Sequence, residues 1–193
     1  MNKIVLLAMA LFLTGCGIQS IPQQKNEVDA SLAEITNQYK RRADLIPNLV
    51  GVVKGYASHE KDTLQGVVEA RAKATSVNID PKNMSAEKLA EFSKAQGQLS
   101  QALGKLMMIT ENYPNLKADQ NFRDLQAQLE GTENRITVAR NRYIEQIKGF
   151  NNLVTVPPTN ITNMIIYRHE KMPQWDVSDA EKATVEKAPE VKF

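Results

Sequence analysis

Three groups of side chains have chemistry beyond packing. They are the pairs His59-Glu60 and His169-Glu170, the charged set Arg42, Glu60, Glu111, Arg135 and Arg140, and the single cysteine, Cys16. A His-Glu pair on a helix opens the HExxH signature, in which a second histidine one turn later completes a zinc pair and the glutamate acts as base. Residue 63 is threonine and residue 173 is proline, so both pairs lack that second ligand. No GxSxG elbow, Walker-type loop or GxGxxG turn accompanies them. The numerous carboxylates fall on polar helix faces, where they solvate the surface. The residues therefore point to no catalytic constellation, no metal and no cofactor, and the protein is read as a non-enzyme.

The charged set depends on where helices place it. From Gln23 to about Ser76 apolar residues recur at alternating steps of four and three: Val28, Leu32, Ile35, Tyr39, then Ile46, Leu49, Val53, continuing to Val67 and Ala74. This spacing predicts one long first helix with a coiled-coil-like seam. Arg42 and Glu60 stand where that seam calls for apolar residues. In an unbroken rod, Glu60 falls level with Arg135 and Arg140, and Arg42 level with the later turn holding Glu111 and Asp119. A buried charge persists only when paired. These five residues are accordingly read as structural, register-setting ion pairs. The competing reading is a ligand or ion site between helices around Arg42 and Glu60. Pro47, inside the same helix, removes a backbone hydrogen bond and collides with the carbonyl of Ala43, at a cost of about 3 kcal/mol. It predicts a kink, and packing that offsets it.

The remaining elements are all helical. Ser85 caps a second helix whose seam runs Leu89, Phe92, Gln96, Leu99, Leu103, Leu106, Thr110, Tyr113 until Pro114 stops it. Asp119 caps a third, with seam Phe122, Leu125, Leu129, Thr132, Ile136, Ala139, Tyr143, Ile147, Phe150, Val154, ahead of Pro157-Pro158. Thr159 or Asn160 caps a short fourth helix through Tyr167, and Arg168 to Trp175 reads as extended chain lying on the bundle. The expected fold is all-α: an antiparallel bundle of three long helices plus a short fourth. The segment before Arg42 has a narrow seam and forms a stalk, roughly 19 residues at ~1.5 Å each, or about 28 Å. Such a seam fits one partner helix or the mate in a homodimer.

The N-terminus is not part of that fold. Lys3 precedes an uncharged apolar run, Ile4 to Leu13, which is half the ~20 residues a spanning helix needs and matches a secretory leader. Leu13-Thr14-Gly15-Cys16 resembles the lipobox of bacterial lipoproteins, in which the Gly-Cys bond is cut and the cysteine carries the lipid, palmitate included. The expected organisation is a leader over 1–15, a linker over 16–22, the bundle over 23–176 and a charged tail over 177–193. Glycine rather than aspartate follows Cys16, which by the same resemblance implies the outer membrane with the bundle in the periplasm. Of 24 basic residues only Lys3 lies in the leader, so 23 face 22 acidic ones. That balance gives no electrostatic case for nucleic acid. The expected partners are the membrane, through Cys16, and another protein of the cell envelope.

Five stretches carry a wider resemblance: RRADLIPNLVGVVKGYASHE (41–60), VVEARAKA (67–74), ENYPNLKADQNF (111–122), LEGTENRITVARNRYIEQI (129–147) and the weaker VPPTNI (156–161). In this order they resemble the LemA family over about residues 25–165, with the C-terminal tail outside the pattern. The resemblance implies a membrane-attached bacterial envelope protein built from long helices, and brings no catalytic residues. Family members are often anchored by an N-terminal apolar segment, and the lipobox departs from that.

Overall fold

The computed structural model describes residues 18–79 and 84–175. Cys16, the leader and the tail from residue 176 lie outside the described residues. The described chain is all-α: α1 (Ser20–Tyr56), α2 (Lys61–Ser76), α3 (Ala86–Thr110), the short α4 (Pro114–Ala118), α5 (Gln120–Thr155) and α6 (Thr159–Thr162), which continues into a π-turn (Asn163–Tyr167). Its contacts form two compact units, residues 18–35 with 138–174, and residues 36–137 with Trp175. α1 and α5 contribute to both.

The expected first helix is broken. α1 ends at Tyr56, and α2 begins at Lys61. The chain reverses between them: Ala57 N–H still donates to Val53 O at 2.8 Å, and Glu60 N–H closes the turn onto Ala57 O at 3.1 Å. Charge placement favours ends at these points, with Lys54 in the last turn of α1 and Asp62 in the first turn of α2. Two antiparallel helices each need an apolar stripe, and a four-residue reversal leaves the alternation of threes and fours nearly undisturbed. Periodicity alone therefore passes through the turn unmarked.

In the larger unit four helices share one core. Ile46, Leu49 and Val53 of α1, Leu64 and Val67 of α2, Leu99 and Leu106 of α3, and Phe122, Leu125 and Leu129 of α5 form one apolar cluster, with Leu116 of α4 buried in it. Two of the caps expected from sequence are present, whereas α6 starts at Thr159 with Pro158 at its N-cap and no side-chain cap bond, so neither Thr159 nor Asn160 caps it. Ser85 Oγ accepts from Lys88 N–H at 3.3 Å, and Asp119 Oδ1 accepts from Phe122 N–H at 3.0 Å. The Phe122 amide, and then the Tyr56 hydroxyl on Oδ2 at 2.9 Å, hold the Asp119 carboxyl below the usual range. Pro114 opens α4 at its first helical position.

In the smaller unit the narrow seam of α1 finds its mate within the chain. Val28, Leu32 and Ile35 are buried. Alongside, Gln24 Nε2 donates to Gln146 Oε1 at 2.7 Å, and Arg142 pairs with Glu34 at 2.8 Å. The approach is close at Gly149, where a Cβ would stand 2.9 Å from Gln24 Nε2. Tyr143 is buried in this unit. Its burial, and secondarily the charge of Asp29, push its phenol well above the usual range. The extended chain after Arg168 is gripped by two asparagines. Asn163 and Asn151 each use both amide atoms, on the backbone of His169 and of Met172 respectively.

Candidate functional site

The polar centre of the larger unit is Arg42. It is only 2 % exposed, although it stands on an otherwise apolar stripe. Its Nη1 donates to Glu133 Oε2 at 2.7 Å and Ser100 Oγ at 3.0 Å; its Nη2 donates to Gln96 Oε1 at 2.8 Å and Gln96 O at 3.3 Å. The guanidinium carbon also lies 5.1 Å from the centroid of the Tyr39 ring. Gln96, itself buried, passes the link on: its Nε2 donates to Ala74 O at 3.1 Å, near the end of α2 where carbonyls lack helical partners. One side chain from α1 thus ties α3 and α5 directly, and α2 through Gln96.

Pro47 adds a second tie at the same place. It lies inside α1 and lacks the N–H that would reach Ala43 O. Arg71 Nε of α2 donates to that carbonyl at 2.8 Å. The offset expected for the proline is therefore a side-chain hydrogen bond from the neighbouring helix. This makes a testable pair. Arg71→Met should cost about 1–2 kcal/mol, the cost of an orphaned carbonyl. In a Pro47→Ala background, where the backbone can reach Ala43 again, the same change should cost much less. Equal losses in the two backgrounds, measured by urea unfolding, would exclude the surrogate role.

The other sequence-derived pairings are corrected. Arg42 meets Glu133 rather than Glu111 or Asp119. Glu111, exposed at the end of α3, takes Lys117 at 2.6 Å instead. Glu60 meets neither Arg135 nor Arg140. Its carboxylate accepts the hydroxyl of Tyr113 at 2.9 Å, which raises that phenol's pKa. The cause is the reversal at 57–60: a level scheme drawn for an unbroken rod misplaces everything beyond Tyr56. Arg135 is exposed on α5, and Arg140, half-buried, belongs to the smaller unit. Sequence reasoning passed over Gln96 as a site although it stood on a seam. Glu133 and Ser100 lie off their seams and carried no signal. Arg71 stood in a quoted motif with nothing to connect it to Pro47.

An open groove of about 340 Å³ runs beside Arg42, between Ser100, Leu103 and Met107 on one wall and Leu129 and Glu133 on the other. Glu60 does not line it. His59 is exposed in the reversal, and His169 stacks on Tyr167 with ring centroids 5.8 Å apart. Among the described residues no three His, Cys, Asp or Glu side chains come together as a metal site. No helix among them is long and apolar enough to cross a membrane.

Comparison with known proteins gives the lineage. The model of the LemA family matches residues 31–193. The match runs through the C-terminal tail, which corrects the expectation that the tail lies outside the pattern. The chain is also similar to Protein LemA of Metamycoplasma hominis, 22 % identical over 166 residues that cover 82 % of this chain and 72 % of that protein. With the family model spanning most of its length, the chain belongs to the LemA family.

Proposed function

We propose that the protein is a lipid-anchored, non-enzymatic helical scaffold or adaptor of the bacterial envelope. The observation that carries this reading is the state of Arg42. Both terminal nitrogens of this buried arginine are committed to Gln96, Ser100 and Glu133 within the chain. A guanidinium used this way supports a register-setting role over a ligand contact. The α1–α5 pairing has a constant register to fix. Arg42 meets Glu133, and fourteen residues later Tyr56 meets Asp119, the cap of α5, fourteen residues earlier.

Anchoring enters through Leu13-Thr14-Gly15-Cys16. A multi-acyl anchor at about 0.8 kcal/mol per buried CH₂ holds a protein on a membrane without a spanning helix. Gly17 after Cys16 favours the outer membrane, with the helices in the periplasm and an envelope protein as partner. Two measurements on the cell-derived protein test this. Mass spectrometry of the N-terminal peptide should find a chain that begins at acylated Cys16, and Cys16→Ser should abolish the acyl mass. A peptide that begins at Met1 with a free thiol would remove the anchor from the reading. In-cell crosslinking should capture a defined envelope protein, and its consistent failure would remove the adaptor. A ligand-binding module is the second reading, favoured only by the groove beside Arg42.

A further inference from the structure

Ten large apolar residues are exposed among the described residues, and six of them are Ile18, Val156, Ile161, Met164, Ile165 and Ile166. All six belong to the smaller unit, and the fold joins their two stretches: Tyr167 Oη donates to Ile18 O at 2.6 Å. Met164, Ile165 and Ile166 are 66 %, 68 % and 53 % exposed. A surface helix with one buried face does not leave three successive apolar residues in water. Here the segment is held in place. Arg168 closes the π-turn in the left-handed region at φ 56, and buried Asn163 clasps the backbone of His169 from both sides. Elsewhere on the described surface exposed apolar residues are single, as at Met108 and Val138.

Only Gly17 separates Ile18 from Cys16. Two residues of chain reach roughly 7 Å at most, so whatever surface receives an acylated Cys16 lies against this cluster. We propose that Ile18 and the segment 156–166 form a seat that rests in the lipid surface, a second, non-covalent membrane contact beside the anchor. The choice of a bilayer as occupant rests on the anchoring reading above. Tyr167 suits the headgroup level, where its ring and hydroxyl are both accommodated. Arg168 and Lys171 flank the seat, but Glu170 stands between them. Apolar burial thus dominates over charge, and seating should respond weakly to salt and to anionic lipid content.

The test uses the full processed chain in vesicles of phosphatidylethanolamine and phosphatidylglycerol doped with dibrominated phosphatidylcholine, whose bromines quench indole at the acyl boundary. Ile165→Trp places a probe in the seat, and Val138→Trp places one at a site 63 % exposed in the same unit. The native Trp175, 6 % exposed, supplies the wild-type signal to subtract. The seat probe should be quenched at least about twofold more than the control, as for a side chain roughly 5–10 Å into the headgroup and acyl boundary. Equal quenching overturns the seat. So does a seat probe that becomes protected with rising protein concentration in lipid-free detergent, which would assign the surface to a second copy. The mass of the N-terminal peptide is read on the same samples. Excess quenching with unmodified Cys16 would keep the seat and remove the anchor, whereas acylated Cys16 without excess quenching would do the reverse.

Discussion

Arg42→Met is expected to lower the unfolding free energy by about 3 kcal/mol, in the range seen when one partner of a buried polar network is removed. The loss is unevenly distributed. Glu133 has a side chain 51 % exposed, so it rehydrates when the guanidinium leaves, and a half-exposed ion pair is worth about 1 kcal/mol or less. Gln96 cannot rehydrate, being 5 % exposed, and its Oε1 loses its donor, whereas its carbonyl stays in the α3 ladder. Each orphaned buried acceptor costs about 1–3 kcal/mol. The larger share of the loss therefore comes from a neutral amide and not from the ion pair.

That ordering gives the experiment. Glu133→Gln should cost about 1 kcal/mol or less, because Arg42 keeps Gln96 and Ser100. Arg42→Met with Gln96→Leu should cost less than the two changes summed, since the second removes the amide Oε1 that the first leaves bare. Urea unfolding followed by far-ultraviolet circular dichroism measures all three. A wild-type-like Arg42→Met would show that the buried arginine braces nothing, and would return the groove beside it to consideration as a ligand site. The outcome bears on the proposed adaptor role, because an adaptor must present its helix faces in fixed relation while a partner pulls on them.

The fold was legible where burial follows a stripe. All ten seam positions of the third predicted helix, from Phe122 to Val154, are buried, as are the eight on α1 from Val28 to Val53, with Arg42 among them. Stripes record which face of a rod is inward, and a coiled-coil-like spacing is hard to mistake. They do not record direction. Glu60 fitted the continuing pattern, yet it begins a new helix running the other way. The better sign was chemical: Gly55 in the last turn of α1 and Ser58 in the reversal, with Lys54 before and Asp62 after. Site geometry was legible in part for the same reason. Arg42 announced itself as a charge inside a stripe, but its partners are fixed by which helices adjoin it, and one misplaced reversal exchanges them all. The fourth helix expected through Tyr167 is α-helical only to Thr162 and goes on as a π-turn over Asn163–Tyr167, where three exposed apolar residues in a row follow no helical period.

Trp175→Ala is expected to cost about 3 kcal/mol or slightly more, the usual toll for truncating a buried indole. The ring closes an aromatic series. Trp175 meets Phe92 edge-on at 6.1 Å, Phe92 meets Tyr39 edge-on at 5.1 Å, and the Tyr39 ring lies 5.1 Å from the Arg42 guanidinium. Such contacts add about 0.5–1.5 kcal/mol per aromatic pair beyond area burial. Trp175→Phe should therefore recover much of the loss and Trp175→Leu less, although both fill the site with apolar atoms. The chain holds one tryptophan, so its own emission reports this contact. In the native protein the emission should be that of a buried indole, and it should shift red together with the loss of helix signal in urea. Arg42→Met should perturb it without unfolding the protein, because Tyr39 loses the cation that positions its ring. An emission already typical of indole in water would detach Trp175 from the bundle. The brace at Arg42 would then stand alone, with no link to the C-terminal end of the chain.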